Sequence, residues 1–242
     1  MEKRHTQIDD IVEAMQKNGG YATLAYLNQN VDTSTWKTKT PFESIRCYLQ
    51  RNKDFFRIQP GLWALEDYRD TVLEKFAIKE NEKEQIETFT HSYYQGLITE
   101  IGNMKRLLTY TPPQDKNRMF LDKKLGDIST MKEMPEFTYE KIVKRARTID
   151  TVWFNERNLP NAFYEVEHST NIINSLNKFF ELQDFRAGFY IVADTKRRKE
   201  FDDKMSQSIY NPIKPLVRFL DYESLSNQHS KMSELYNSPM IL

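Results

Sequence analysis

The stretch from Thr148 to His168, TIDTVWFNERNLPNAFYEVEH, constrains the chain more than any other. Ile149 to Phe154 and Ala162 to Val166 are apolar and β-branched enough for two strands, and the Asn- and Pro-bearing connector Asn155 to Asn161 turns between them. Folding the strands back on each other about Arg157 and Asn158 sets Asp150 opposite Glu165. Alternation of side chains sends Glu165 and Glu167 to one face. Three carboxylates then converge on one sheet. Two like charges about 4 Å apart repel by roughly 4 kcal/mol at an effective dielectric of about 20. A cation between them relieves that repulsion, and a hard ion with oxygen ligands fits. Acids that merely line an exposed strand face give the same alternation. The neighbours favour the first reading: Phe163, Tyr164 and Val166 surround the glutamates, and Ser169-Thr170 can cap a following helix. The acids therefore stand where a buried strand gives way to a helix, the usual place for a site on such a sheet.

Other elements follow from periodicity. Tyr94, Leu97, Ile98, Ile101 and Met104 fall at helical spacing and predict an amphipathic helix from about Glu87 to Lys105. Leu107 to Tyr110 is a short strand, and Thr138 to Arg147 is a basic helix or the approach to the Asp150 strand. Ile172, Ile173, Leu176, Phe179 and Phe180 form one helical face, and Phe189 to Ala193 is a buried strand. Lys141, Lys144, Arg145 and Arg147 precede the acids, and Lys196, Arg197, Arg198 and Lys199 follow the last strand. Either cluster can neutralise phosphates, or be no more than a solvated face.

The first seventy residues read separately. Ile8, Ile11, Val12 and Met15 make an amphipathic helix that stops at Gly19-Gly20. Tyr21 to Asn28 forms a second short helix. In TPFESIRCYLQRN, Thr40 is the N-cap, Pro41 the first helical residue and Glu43 the closing member of a capping box. Ile45, Tyr48 and Leu49 face the core, leaving Ser44, Arg46, Gln50 and Arg51 outside. Phe55 to Ile58 and Leu62 to Leu65 are two strands about Gln59-Pro60-Gly61, a wing. Lys37, Lys39, Arg46, Arg51 and Lys53 lie close in sequence to the third helix.

Composition excludes several classes. There is no 20-residue apolar span and the N-terminus is polar, which argues against a membrane helix or signal peptide. A single cysteine, Cys47, excludes an internal disulfide framework and suits the cytoplasm, and four scattered histidines give no zinc pattern. The 35 basic and 35 acidic residues cancel, so net charge decides nothing about a nucleic-acid partner.

The pattern ID, short hairpin, FYEVE, capped helix and apolar strand resembles the PD-(D/E)xK, restriction-endonuclease-like nuclease core, over roughly residues 88 to 205. The resemblance implies a mixed α+β or α/β core, a mixed central sheet flanked by helices. It implies that Asp150 and Glu165 bind Mg²⁺ and that Glu167, standing where the family usually has Lys, helps activate water. Ile149 replaces the usual Pro, and Glu100 on the first helix matches an acid that helps hold the metal in many such nucleases. The TPFESIR helix and FFRIQPGLWAL wing resemble the HARE-HTH type of winged helix-turn-helix. That resemblance implies binding of double-stranded DNA, with Ser44, Arg46, Gln50 and Arg51 on the reading helix and Lys37 and Lys39 beside it. The expected organisation is a winged helix over 1–70, a helical connector over 71–87 and a nuclease domain over 88–242. The expected function is a Mg²⁺-dependent type II-like restriction endonuclease acting on a specific site, modified or not. A homodimer would supply two active sites. The alternative is a DNA-binding or assembly protein that keeps the nuclease fold without its chemistry. Residues 206–242 extend the nuclease domain or serve a dimer interface.

Overall fold

A computed structural model describes residues 5–78 and 83–237. Its contacts divide the chain into two compact units, Met1–Glu82 together with Ser226–Leu242, and Lys83–Leu225. The tail therefore divides at Ser226, with its last residues grouped with the beginning of the chain. Within the expected connector over 71–87, residues 79–82 lie outside the described residues.

The first unit opens with α1 (Gln7–Lys17), started by a capping box in which Thr6 and Asp9 satisfy each other's backbone N–H groups. It stops at the two glycines, with φ of 78° at Gly19 and 87° at Gly20. The Gly20 N–H returns to the Met15 carbonyl at 2.8 Å, and a side chain at Gly20 would strike the Tyr68 ring. Next come β1 (Tyr21–Thr23), α2 (Leu24–Asn30), α3 (Pro41–Arg51), β2 (Phe55–Gln59), β3 (Leu62–Leu65) and α4 (Arg69–Lys75). The expected helix at Tyr21 is thus a strand followed by a helix, because Tyr21 to Thr23 pair with Leu62 to Ala64. The order β1-β3-β2 closes an antiparallel sheet. α3 starts at Pro41 as the sequence indicates, but Thr40 makes no side-chain cap bond, so no capping box forms there. Ile11, Met15, Leu27, Trp36, Ile45, Leu49 and Leu65 form a core of this unit's own, with Tyr48 only partly buried against it.

The second unit runs α5 (Lys83–Met104), β4 (Leu108–Tyr110), β5 (Met119–Phe120), β6 (Lys123–Lys124), α6 (Leu125–Ile128), α7 (Glu140–Ala146), β7 (Thr151–Phe154), β8 (Pro160–Glu167), α8 (Ile172–Glu181), β9 (Gly188–Ala193), α9 (Arg198–Met205) and β10 (Val217–Asp221). The first turn of α10 (Tyr222–Asn237) belongs to it as well. Five strands form one mixed sheet in the order β10-β9-β8-β7-β4. β4, β7 and β8 run as an antiparallel meander, while β8, β9 and β10 are parallel. Strand alternation separates the two faces. Val152, Phe154, Phe163, Phe189 and Ile191 pack with Ile172, Leu176 and Phe179 of α8 and with Val143 and Ala146 of α7. On the other face, the one α5 covers, Tyr164 stacks on Tyr190 and meets the tilted ring of Trp153. β10 was hidden in the sequence: VRFLD lies at the sheet edge, where side chains are only half buried and no apolar run is needed.

Candidate active site

The hairpin register carries the site. Thr151 pairs with Tyr164 and Val152 with Phe163, which places Asp150 opposite Glu165 at the head of β7. The Val166 N–H donates to Asp150 Oδ2 at 2.8 Å, fixing the carboxylate at the end of the ladder. Glu165 and Glu167 project together toward α8, whose fully buried Ser175 hydroxyl lies 2.8 Å from Glu165 Oε2 and also meets Glu167. The helix is capped by Asn171, whose side chain accepts from the Ile173 N–H, rather than by Ser169-Thr170. Its buried face is Ile172, Ser175, Leu176 and Phe179, with Phe180 outside.

The sequence reading did not single out Lys178. One turn beyond Ser175 on α8, its ammonium lies 2.9 and 2.8 Å from the two Glu165 oxygens and 2.9 Å from the Thr148 carbonyl. Glu167 is engaged differently. It meets Thr170 Oγ1 and Ser175, and Arg197 Nη1 stands 3.8 Å away. Arg197 is held in turn by Glu200 at 2.9 Å and the Thr170 carbonyl at 2.6 Å.

Two further side chains join Asp150 from elsewhere in the chain. His91 on α5 and Asp115, in the turn after β4, offer ligand atoms that lie with an Asp150 oxygen within 4.8 Å of one another. His91 Nε2 is 3.6 Å from Asp150 Oδ2. It is buried and makes no hydrogen bond. Gln95, a turn after His91 and wholly buried, donates to the Asp150 carbonyl and, at 3.3 Å, to Asp115 Oδ2, while its Oε1 has no partner. Arg118 Nε sits 3.1 Å from Asp115 Oδ1. Glu100 does not join this group. It lies nine residues beyond His91, about two and a half turns and roughly 13 Å along the helix axis, and therefore on the opposite side of α5. The spacing His91-Gln95 on one helix face was the available signal for this part of the site. Asp115 had none, because only tertiary packing brings its turn to β7.

Burial sets the protonation of this cluster. It pushes Asp150 up to about 7, against the Val166 N–H and Lys178, which favour the charged form. It pushes Glu165 up to about 8, with the neighbouring Asp150 adding to the rise and Lys178 and Ser175 opposing it. Burial also holds His91 below the ordinary imidazole value. Near pH 6 the folded chain keeps protons on Asp150 and Glu165 that an unfolded chain, with ordinary values of 3.8 and 4.5, has released. Stability from these two groups is therefore fully present below about pH 4 and is lost as pH rises through about 7 to 8. In the presence of a chelator, we expect unfolding free energy to fall by about 1–3 kcal/mol between pH 5.5 and 8.5. Asp150→Asn should flatten that fall. Urea titrations across this range check it, and a stability that rises with pH in both proteins would contradict the assignment.

In the first unit, Gln50, Arg51, Lys37 and Lys39 are exposed, and Ser44 is half-buried with its hydroxyl on the Thr40 carbonyl at 3.1 Å. Arg46 is occupied: its Nη2 donates to Ser230 Oγ at 2.8 Å and lies 3.4 Å from Glu234 Oε1, both on α10. Asn28 and Gln29 of α2 bond the same helix at Ser230, Glu234 and Ser233.

No helix among the described residues is long and apolar enough to cross a membrane. A family model described as the type II restriction enzyme NmeDI C-terminal domain matches residues 72–238, which include His91, Asp115, Asp150, Glu165, Glu167 and Lys178. The chain is 25% identical over 153 residues to the type II restriction enzyme NmeDI of Neisseria meningitidis serogroup C. That alignment covers 61% of this chain and 42% of the enzyme, so the chain spans less than half the length of this curated relative. No solved structure matches the chain.

Proposed function

Because the chain belongs to the family of the type II restriction enzyme NmeDI C-terminal domain, we propose that it is a metal-dependent endodeoxyribonuclease that hydrolyses phosphodiester bonds in double-stranded DNA. The observation that carries the reading is the pair of buried carboxylates, Asp150 and Glu165, set opposite each other on adjacent strands with Lys178 gripping the second. The antiparallel meander β4-β7-β8, extended by the parallel strand β9 and flanked by α5 and α8, supports a PD-(D/E)xK-like core.

The donor set suits a divalent cation. His91 Nε2 is buried without a hydrogen-bond partner beside the carboxylates of Asp115 and Asp150, and Glu165 completes an acidic wall. Asp150 and Glu165 would hold the ion, with His91 and Asp115 within reach. Bound there, it would polarise a phosphoryl oxygen and lower the pKa of a water molecule. The chain's own groups prepare that chemistry. The Val166 N–H and the Gln95 amide hold Asp150 by its carboxylate and its carbonyl. Ser175 and Lys178 hold Glu165. The Lys178 ammonium, close to Glu165 Oε2, stands where it can neutralise phosphate charge and hold or pass a proton, the part that the PD-(D/E)xK resemblance gives to a Lys at the position of Glu167. Glu167 then either joins the water's proton relay or braces Ser175, Thr170 and Arg197.

The first unit, with its order α1-β1-α2-α3-β2-β3 and sheet β1-β3-β2, supports a winged helix that reads DNA with α3. One site cuts one strand, so a double-strand break calls for two copies of the chain, and a homodimer meets that need with two-fold symmetry.

The test uses supercoiled plasmid, the full chain, and Mg²⁺ or Mn²⁺. Linear product with defined ends, abolished by a chelator, supports the reading. Plasmid left intact by metal-loaded protein would favour a nuclease-like DNA-binding protein without chemistry. In the same preparation, Arg51→Ala should lower DNA affinity by about 1–3 kcal/mol if Arg51 contacts a base. Arg46→Ala should cost less than half as much, since Arg46 is already held by Glu234. Equal losses at both positions, measured by fluorescence anisotropy, would show that DNA draws Arg46 away from α10.

A further inference from the structure

We propose that His91 Nε2 and the Asp115 carboxylate join Asp150, beside Glu165, as ligands, so that the cation site is a mixed nitrogen–oxygen centre that takes a first-row transition ion such as Mn²⁺ in preference to Mg²⁺. The proposal rests on the reading of Asp150 as a metal ligand, but not on the reaction.

Three separate segments supply the donors: α5, the turn after β4, and the head of β7. The turn is closed by its own backbone, with the Asp115 N–H on the Pro112 carbonyl at 3.0 Å and the Arg118 N–H on the Asp115 carbonyl at 2.9 Å. Bonds of about 2.1 Å place ligand atoms about 3 Å apart at right angles and about 4.2 Å apart when opposed. The 4.8 Å spread of this trio is therefore less than 1 Å wider than a bound set.

Two buried polar atoms without hydrogen-bond partners point to a ligand site. His91 Nε2 faces Asp150 at 3.6 Å, too far for a hydrogen bond. The imidazole of His91 and the Asp150 carboxyl both ligate cations once deprotonated, so an ion shared between them gives each a partner. Gln95 is completely buried, with its amide nitrogen on Asp115 and its Oε1 unsatisfied. A buried amide oxygen without a partner is rare, and a water held by an ion in this cluster would satisfy it.

The imidazole decides the class of ion. Mg²⁺ demands an octahedral oxygen shell and sheds water reluctantly. Imidazole suits Fe²⁺, Ni²⁺ and Zn²⁺ best, and affinity across the first row rises from Mn²⁺ through Co²⁺ to Ni²⁺, so Mn²⁺ is the weakest member of the class and the most stringent test of the preference. A shell with one nitrogen and carboxylates therefore discriminates against Mg²⁺.

The experiment is calorimetric titration of the metal-free full chain with MnCl₂ and MgCl₂, joined to electron spin-echo spectroscopy of the Mn²⁺ complex. We expect Mn²⁺ to bind at least tenfold more tightly than Mg²⁺, with nitrogen modulation from one imidazole in the wild-type spectrum. His91→Gln should abolish the modulation and lower Mn²⁺ affinity fivefold or more, while Mg²⁺ affinity stays within about twofold. Mn²⁺ bound without nitrogen modulation, or Mg²⁺ bound as tightly as Mn²⁺, would overturn the proposal. The wild-type spectrum alone decides the point if His91→Gln fails to fold. Nitrogen-coupled Mn²⁺ on a protein that leaves plasmid intact would keep this site and remove the nuclease reading. Cleavage with a cation that shows no nitrogen coupling would do the reverse.

Discussion

Supercoiled plasmid incubated with Asp150→Asn protein is expected to stay uncut with either Mn²⁺ or Mg²⁺, the rate falling at least about a thousandfold, or about 4 kcal/mol of barrier. The substitution is nearly isosteric. An Asn oxygen can still accept from the Val166 N–H that now bonds Asp150 Oδ2, so the hairpin keeps its register. Only the negative charge is lost, and with it the group that faces both His91 and Glu165. Glu165→Gln should cost as much, because Glu165 is the carboxylate that Lys178 and Ser175 position. Lys178→Met separates the two candidates for the role of the usual Lys. A loss of about a hundredfold, with Glu167→Gln costing less than tenfold, would assign the role of the usual Lys to Lys178. The opposite ranking would return it to Glu167. Circular dichroism of each variant guards against unfolding, and near wild-type cutting by Asp150→Asn would remove this site from the chemistry.

Gly96→Ala should be the most damaging single-methyl change in the second unit. A Cβ at Gly96 would lie 2.0 Å from Phe120 Cδ2 and 2.1 Å from Cγ. The ring cannot simply step aside, because Phe120 is 3% exposed and its centroid lies 6.0 Å from that of Tyr93. Forcing a methyl into a packed core costs about 1–3 kcal/mol, which in a chain of this size lowers Tm by about 2–12 °C. The consequence reaches the site. Gly96 follows Gln95 and lies five residues after His91, so a helix pushed off the β5 turn carries both side chains away from Asp115 and Asp150. Metal affinity should fall along with Tm. A variant that melts normally would mean the β5-β6 hairpin yields, and its metal binding should then be unchanged.

The acidic pair was legible because two local rules fix it. Side chains on a strand alternate, and a short hairpin sets which residues face each other, so Asp150 and Glu165 could be placed from spacing alone. The second turn of α8 was half legible. Its aliphatic residues announced a helix, but Ser175 and Lys178 look like ordinary polar positions until the strand beneath them is known to carry two buried glutamates. His91 showed only through its spacing from Gln95 on one helix face, and Asp115 lay beyond such reasoning, since no periodicity links an α5 residue to a turn after β4. Tyr21 to Thr23 misled for a related reason. Three residues are too few to show alternation, and only pairing with Leu62 to Ala64 makes them a strand.

Arg46 and Ser230, bonded at 2.8 Å, are separated by 184 positions in the sequence. The ribosome therefore releases the beginning of the first unit long before the residues that finish it. At about 5–20 residues per second, the interval is roughly 10–40 s. During that time α2 and α3 stand without the helix that later occupies Asn28, Gln29 and Arg46, while the whole second unit is made and can fold in between. The order of synthesis thus separates two steps. Lys83–Leu225 is complete first, and the polar surface of the half proposed to read DNA is closed only when Ser230 to Glu234 emerge.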